Sequence, residues 1–264
     1  MTRRFTILGC GSSGGVPRIG GHWGECDPKN PKNRRRRCSL LVEQDGPDGT
    51  TSVLIDTSPD MREQLLSAGV TRLDGVVYTH PHADHVHGID DLRMVAINMR
   101  DKVQVWADTP TSEALLTRFG YVFRTPPGSG YPPILEMNQI DGDVVIDGPG
   151  GPITLSPFEV QHGTIRALGF RMDDVAYLPD VSDLDTGRLA LHGLDLLIVD
   201  ALRRTEHPSH SHLDNTLKWI AELEPTRAVL TNMHIDLDYE AVAAETPAHV
   251  TPAYDGMVLE VPSA

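Results

Sequence analysis

A chain of 264 residues and 28.9 kDa can bury a sizeable core, and this length is routine for one large α/β or sandwich unit, so a single hydrolase-sized domain over residues 1–264 is expected. Hydrophobic content of 39% and charged content of 23% are ordinary, and no run approaches the roughly 18 consecutive apolar residues of a membrane helix, which excludes a membrane-embedded class. With 37 acidic against 23 basic residues the formal net charge is −14, which repels extended polyanions and argues against a stable nucleic-acid partner.

In chain order, "RFTILGCGSSGG" reads as a strand running into a glycine-rich loop, and its apolar stretch "FTIL" is too short for a secretory signal. Three cysteines, Cys10, Cys26 and Cys38, are too few for a disulfide framework and read as reduced thiols, so a cytoplasmic location is expected. "KNRRRRC", residues 32–38, resembles a nucleic-acid or phosphate patch by composition, but a run this short reads as a solvated face pairing with the chain's own surplus carboxylates. "SLLVEQDGPDGTTSVLIDTS" is a hairpin around "DGPDG", and "PDMREQLLSAGV" has a proline near its start, helical apolar spacing and a glycine stop.

The buried strand "LDGVVYTH" follows, then the strand "VQVWAD" and the helix "PTSEALLTRFGYVF". "TPPGSGYPP", residues 125–133, is a lid-like loop with Tyr121, Phe123 and Tyr131 nearby, and "DGPGGP" is a turn. "ITLSPFEVQHG" and "ALGFRMDDVAYLPD" read as paired strands, "GLDLLIVDAL" and "RAVLTNMH" as buried strands, and "LDNTLKWIAELEP" as an amphipathic helix. Strands and helices alternate throughout, which is an α/β pattern.

Metal-type side chains gather where these strands run out. "THPHADHVHG", residues 79–88, supplies His80, His82, Asp84 and His85, while His162, Asp180, Asp200 and His234 each follow a different buried strand. Ligands of layered α/β proteins bind beyond strand ends, because loops converge there on a rigid sheet. In an extended segment His80 and His82 point the same way and can reach one ion, and the turn that follows redirects Asp84 and His85 toward a second position. Imidazole nitrogen and carboxylate oxygen without thiolate suit zinc first, with manganese or iron as alternatives. Two such cations would acidify a shared water and clamp phosphoryl oxygens.

The segment "THPHADHVHG" matches the H-x-H-x-D-H signature, and the chain resembles the metallo-β-lactamase superfamily over nearly its whole length. That resemblance implies a four-layer αββα sandwich, one metal on His80, His82 and His162, another on Asp84, His85 and His234, and Asp180 bridging them. It also implies that Asp56, beneath the site, orients the motif loop. "ILGCGSSGGVPRIG", "VLIDTSPDMREQLL" and "GIDDLR" are most similar to the phosphodiesterase branch of carbon-phosphorus lyase pathways and to tRNase Z-like relatives. Carried onto "VDALRRTEHPSHSHLDNTL", the resemblance implies a general acid at His210 with Asp200 as its carboxylate partner, His207 and His212 being the competitors. Asp84 joins these two as a candidate catalytic residue.

The same branch carries a further structural zinc on a cysteine cluster. The matching stretch here, "GGHWGECDPKN", holds only Cys26, so that site is expected to be absent. Arg93, Arg203 and His212 are candidates for binding substrate, the two arginines alternatively being structural ion-pair partners. No inserted stretch is long or basic enough to serve as a tRNA-gripping arm, so the expected partner is a small or cyclic phosphodiester, and a homodimer is compatible with this reading. A thioester or lactone hydrolase on the same site, a tRNase Z-like endoribonuclease and a non-catalytic binding protein are the alternatives.

Overall fold

Period-two alternation in the hairpin at 39–55 assigns Leu40, Val42, Val53 and Ile55 to one face and Leu41 and Leu54 to the other, and both faces are buried. A sheet buried on both faces must be covered twice. A computed structural model of the chain describes residues 2–262 and shows how.

The first half runs β1 (Thr2–Gly9), β2 (Ser39–Gly46), β3 (Gly49–Ile55), α1 (Met61–Ala68), β4 (Gly75–Val77), α2 (Ala83–Val86), α3 (Leu92–Met99), β5 (Val103–Ala107), α4 (Thr109–Phe123), β6 (Leu135–Gln139) and β7 (Val144–Ile146). The second runs β8 (Ile153–His162), β9 (Ile165–Met172), β10 (Val175–Leu178), β11 (Leu196–Asp200), α5 (Leu213–Leu223), β12 (Arg227–Thr231), α6 (Tyr239–Glu245), β13 (Val250–Pro252) and β14 (Met257–Pro262). They form two seven-stranded sheets, ordered β14-β1-β2-β3-β4-β5-β6 and β13-β12-β11-β10-β9-β8-β7. β3 to β6 are mutually parallel, as are β10 to β13, and the other pairings are antiparallel.

Phe5, Val42, Val53 and Ile55 of the first sheet share one buried cluster with Val160, Phe170 and Val199 of the second. On its far side the first sheet presents Leu41, Leu54 and Val76 to Leu65 of α1, Leu92 and Val95 of α3 and Leu115 of α4. Leu213, Ile220 and Leu223 of α5 and Val242 of α6 are buried with the second sheet. The four layers are the expected αββα sandwich. Among the described residues no helix is long and apolar enough to cross a membrane.

Local chemistry sets the element ends. Asp108 Oδ1 accepts from the Thr111 amide at 3.0 Å and caps α4, with a proline in its first turn. Gly69 ends α1 at φ 68, where a side chain would be strained. The arginine run is largely engaged within the chain. Arg35 is buried and donates to the Leu237 carbonyl at 2.7 Å, Arg36 pairs with Asp255 at 3.0 Å and Arg37 with Asp60 at 2.8 Å.

Parallel strands in both sheets place their carboxyl ends along one rim of the sandwich. The segments after β3, β4, β8, β10, β11 and β12 converge there.

Candidate metal centre

The rim is organised from beneath by Asp56, buried just after β3 with φ 64, a conformation that aspartate tolerates better than most residues. Its Oδ1 accepts from the Thr79 amide at 2.8 Å, and its Oδ2 accepts from the Thr79 hydroxyl and from His85 Nδ1, both at 2.7 Å. Backbone bonds tie the same segments together, Thr57 N to the His85 carbonyl at 2.8 Å and Gly88 N to the Thr57 carbonyl at 2.9 Å. Gly88 permits this approach, since a Cβ there would lie 2.0 Å from the Ser58 carbonyl oxygen.

On that base, ligand atoms of His80, His82, His162 and Asp180 all lie within 4.8 Å of one another. His80 and His82 come from the loop after β4, His162 from the last position of β8 and Asp180 from just beyond β10. Asp180 Oδ2 is 3.5 Å from His80 Nε2 and 3.4 Å from His162 Nε2, and His82 Nδ1 is 3.1 Å from His162 Nε2. The rings are oriented from behind: Thr79 Oγ1 lies 2.9 Å from His80 Nδ1, and the Ser209 carbonyl accepts from His162 Nδ1 at 2.6 Å. His82 is exposed, so the cluster opens to solvent on that side.

Two observations fit this donor set to a divalent cation. The Nε2 atoms of His80 and His85 are buried and have no hydrogen-bond partner, although buried polar atoms are normally paired. Burial, reinforced at His80 by His85, holds the His80 imidazole well below its ordinary value, and burial also lowers His82 and His162. Neutral imidazoles keep the lone pair a cation needs.

A second position adjoins the first. His85 Nε2 lies 3.3 Å from Asp180 Oδ1 and 3.6 Å from Asp84 Oδ2, while its Nδ1 is held by Asp56. Burial works against a charge on His85, but Asp180, Asp56 and Asp84 together raise it well above the usual imidazole range. Burial likewise opposes charge on Asp180, and His85 with His210 pulls it well below the usual carboxylate range.

His210 stands at the edge of this cluster. Its Nδ1 donates to Asp200 Oδ2 at 2.9 Å, and its Nε2 is 4.0 Å from Asp180 Oδ2. Burial lowers its proton affinity, but the Asp200 and Asp180 carboxylates outweigh burial and hold it above the ordinary imidazole value. His207 contacts Ser209 through Nδ1, with its ring 5.2 Å from that of His210, and His212 sits at the N-terminus of α5.

Three residues named from the sequence make further contacts here. His234 Nδ1 is 3.0 Å from Asp236 Oδ1, and its Nε2 contacts the Arg18 guanidinium. Beside it Met233 is buried, and its backbone pairs with Cys10 and Ser12. Arg93 lies apart from the cluster. It pairs with Asp90 at 2.8 Å and lines a separate hollow of about 520 Å³ with Tyr121 and Tyr131. Arg203 donates to the Thr205 and Glu206 carbonyls and serves its own loop. Cys26 faces the Arg35 guanidinium at 3.8 Å.

One buried residue at the centre escaped the sequence reading. Asn232 Nδ2 lies 3.2 Å from Asp180 Oδ1 and 3.2 Å from Asp200 Oδ1. The available signal was a polar amide directly after the apolar run "AVLT".

Known proteins share this architecture. The solved structure of a new diphosphatase from the PhnP family superposes with a TM-score of 0.86 at 36% identity, covering 99% of this chain and 98% of that one. An octanoyltransferase of Porphyromonas gingivalis is 33% identical over 258 residues, 96% of this chain but 51% of that protein, so the chain spans about half of its length. A ribonuclease Z of Bradyrhizobium sp. is 30% identical over 146 residues, 53% of this chain and 45% of that protein. The model of the beta-lactamase superfamily domain matches residues 51–235, from within β3 to just past β12. The chain belongs to the beta-lactamase superfamily, with a metallo-hydrolase fold and a candidate metal site of histidine and aspartate.

Proposed function

We propose that this chain is a phosphoric diester hydrolase acting on small or cyclic phosphodiesters, with His210 as general acid. The observation that carries the reading is the Asp200–His210 pair at 2.9 Å, standing 4.0 Å from Asp180 at the edge of the ligand cluster. His80, His82, His162 and Asp180 would hold one divalent cation, and Asp84, His85, His234 and the shared Asp180 a second; zinc is the first choice and manganese the next. Bound there, such cations supply Lewis-acid charge and an acidified water.

The chain's own residues do the rest. Asp200 accepts the Nδ1 proton of His210, which fixes the tautomer and leaves Nε2–H to protonate a departing alkoxide. Asp56 and Thr79 keep His80 and His85 aimed, so that little reorganisation is needed as charge develops on the phosphoryl oxygens. The surplus of acidic residues favours a small substrate over a long polyanion. The likeness to a diphosphatase adds support for attack at phosphorus and brings phosphoanhydrides into the substrate class to be tested.

The test is turnover by metal-loaded protein of 2′,3′-cyclic nucleotides, bis-p-nitrophenyl phosphate, a dinucleoside diphosphate, pre-tRNA and an acyl thioester. Turnover of a small phosphate ester or anhydride is expected. Cleavage of the thioester alone would replace the proposal with the acyl reading that the octanoyltransferase name suggests.

A further inference from the structure

Helix α4 is broken where it passes the motif loop. Phe119 leaves helical geometry at φ −128 and ψ 28, and the last turn resumes with Arg124 N bonded to the Gly120 carbonyl at 3.0 Å. The two side chains at the break both reach the loop that carries the ligands. Arg118 Nη1 donates to the Pro81 carbonyl at 2.5 Å, and Pro81 stands between His80 and His82. The Phe119 ring meets that of His87 edge to face, 5.6 Å between centroids.

Arg118 keeps its charge. The Pro81 carbonyl takes one of the five N–H groups of the guanidinium and neutralises nothing. The residue is exposed, and among the described residues no carboxylate lies within ion-pair distance of it. In a chain of net charge −14, this leaves a guanidinium beside the ligand loop open to an anion from outside. Arg93 is the opposite case, since Asp90 neutralises it at 2.8 Å.

Three residues beyond Arg118, Tyr121 opens the hollow of about 520 Å³ whose other walls include Tyr131, Ile97, Ser129 and Arg93. That volume lies in the range of small-molecule sites. Tyr121 is 46% exposed and Tyr131 76%, so both rings are free to stack on a ligand. The wall is held in shape. The Tyr131 amide donates to Ser129 Oγ at 3.2 Å, Ser129 N to the Pro126 carbonyl at 3.0 Å and Ile134 N to the Val122 carbonyl at 2.9 Å. With Arg93 already paired, the hollow offers aromatic faces without free positive charge, which suits an uncharged planar ring better than a phosphate.

We propose that Arg118 and the tyrosine hollow form a distal subsite for the nucleoside-bearing end of the substrate, the guanidinium holding the phosphate next to the scissile one and the base lying against Tyr121 and Tyr131. Resting on the phosphoryl reading above, the assignment narrows the substrate class to a nucleoside carried on at least two phosphates. A single cyclic phosphate seated at the cations has no second charge for Arg118. Cations, guanidinium and aromatic rings follow one another along this flank in the order phosphate, phosphate, base of such a compound. Arg118 is thereby a specificity-determining residue.

The test is calorimetric binding to the metal-loaded full chain, with α,β-methylene-ADP, methylenediphosphonate and adenosine as probes. The ADP analogue is expected to bind at least about tenfold more tightly than methylenediphosphonate, because stacking of one base contributes about that much. Tyr131→Ala should weaken the analogue about tenfold and the diphosphonate far less. Arg118→Gln, which can still donate to Pro81, should weaken both phosphorus-containing probes about tenfold and adenosine far less. In turnover, both variants should lose at least about tenfold more kcat/KM on diadenosine diphosphate than on methyl p-nitrophenyl phosphate, which lacks the second phosphate and the nucleoside. Should Arg118→Gln fail to fold, Tyr131→Ala still decides. Equal affinity for the analogue and the diphosphonate, or parallel losses on the two substrates, would overturn the subsite. A dimer that Tyr131→Ala dissociates would also overturn it, by giving the hollow to a second copy of the chain. The expected binding pattern in a chain that cleaves no phosphate would support the subsite and overturn the hydrolase reading alone.

Discussion

Replacing Asp56 by asparagine changes one buried atom and should disarm two ligands at once. Asparagine tolerates φ 64 as well as aspartate does, so the backbone at this position stays in place. In the natural chain Asp56 Oδ2 accepts from the Thr79 hydroxyl and from His85 Nδ1, which leaves the Thr79 oxygen free to accept from His80 Nδ1. Both imidazoles then carry their lone pairs on Nε2, toward the cluster. An amide NH2 in place of Oδ2 donates where the carboxylate accepted. The Thr79 hydroxyl must turn toward His80, His85 must accept through Nδ1, and the proton of each ring moves to Nε2 and blocks it. Two hydrogen bonds to a charged group are lost, each worth about 1.5–3 kcal/mol. Outer-sphere changes of this kind cost about 10–100-fold in affinity per ligand, so two ligands predict a loss of about 10²–10⁴, or roughly 3–5 kcal/mol. Competition titration with a chromophoric chelator measures it directly. A variant that folds and binds zinc within about threefold of the natural chain would refute the relay from Asp56 through Thr79 to His80.

Other perturbations separate chemistry from architecture. His210→Gln should lower kcat by about 10²–10⁴ for a diester with an alkoxide leaving group but far less for p-nitrophenolate, which departs unprotonated, and the zinc content should not change. Equal losses on the two esters would remove His210 from the proton-donor role. Phe170→Ala, between the sheets, should cost about 3–5 kcal/mol in a urea unfolding titration. Gly88→Ala brings a Cβ to 2.0 Å from the Ser58 carbonyl oxygen and should cost at least about 1–3 kcal/mol while loosening the motif loop, read as lower stability together with lower zinc affinity. Chelation should abolish turnover and lower the thermal midpoint, because cations bind the folded cluster, and added zinc should restore both.

The site was legible because its chemistry demands rare side chains in rare places. Histidines and aspartates at the ends of apolar runs have few other reasons to be there, and the sheets bring His80, His82, His162 and Asp180 together from three separate strand ends. The chain after β12 hides one central residue for a physical reason. Asn232 is left-handed and sets its amide between Asp180 and Asp200, and neither feature shows in the pattern of apolar residues. The partners of Arg93 and Arg203 were hidden for another. Charge alone does not reveal that Asp90 and two backbone carbonyls already hold them. Among the elements, α3 was hidden because no side chain caps its start and it ends on Arg100 at φ 57 rather than on glycine. β6, "LEMNQ", is an edge strand with polar residues on its exposed side, and β13 is three residues long and carries a proline.

The pairing of β1 with β14 joins the earliest and latest parts of the described chain, Thr2 opposite Pro262 and Ile7 opposite Met257. At synthesis rates of about 5–20 residues per second, the first of these strands waits roughly 12–50 s for its outer neighbour. Meanwhile its backbone amides and carbonyls lie open on one side, a template for any other extended chain. Arg3 and Arg4 stand on that strand, and their charge discourages stray pairing during the wait. Every histidine and aspartate of the rim leaves the ribosome before β14 does, so the nascent polypeptide already carries its complete complement of metal-seeking groups while its first sheet is one strand short.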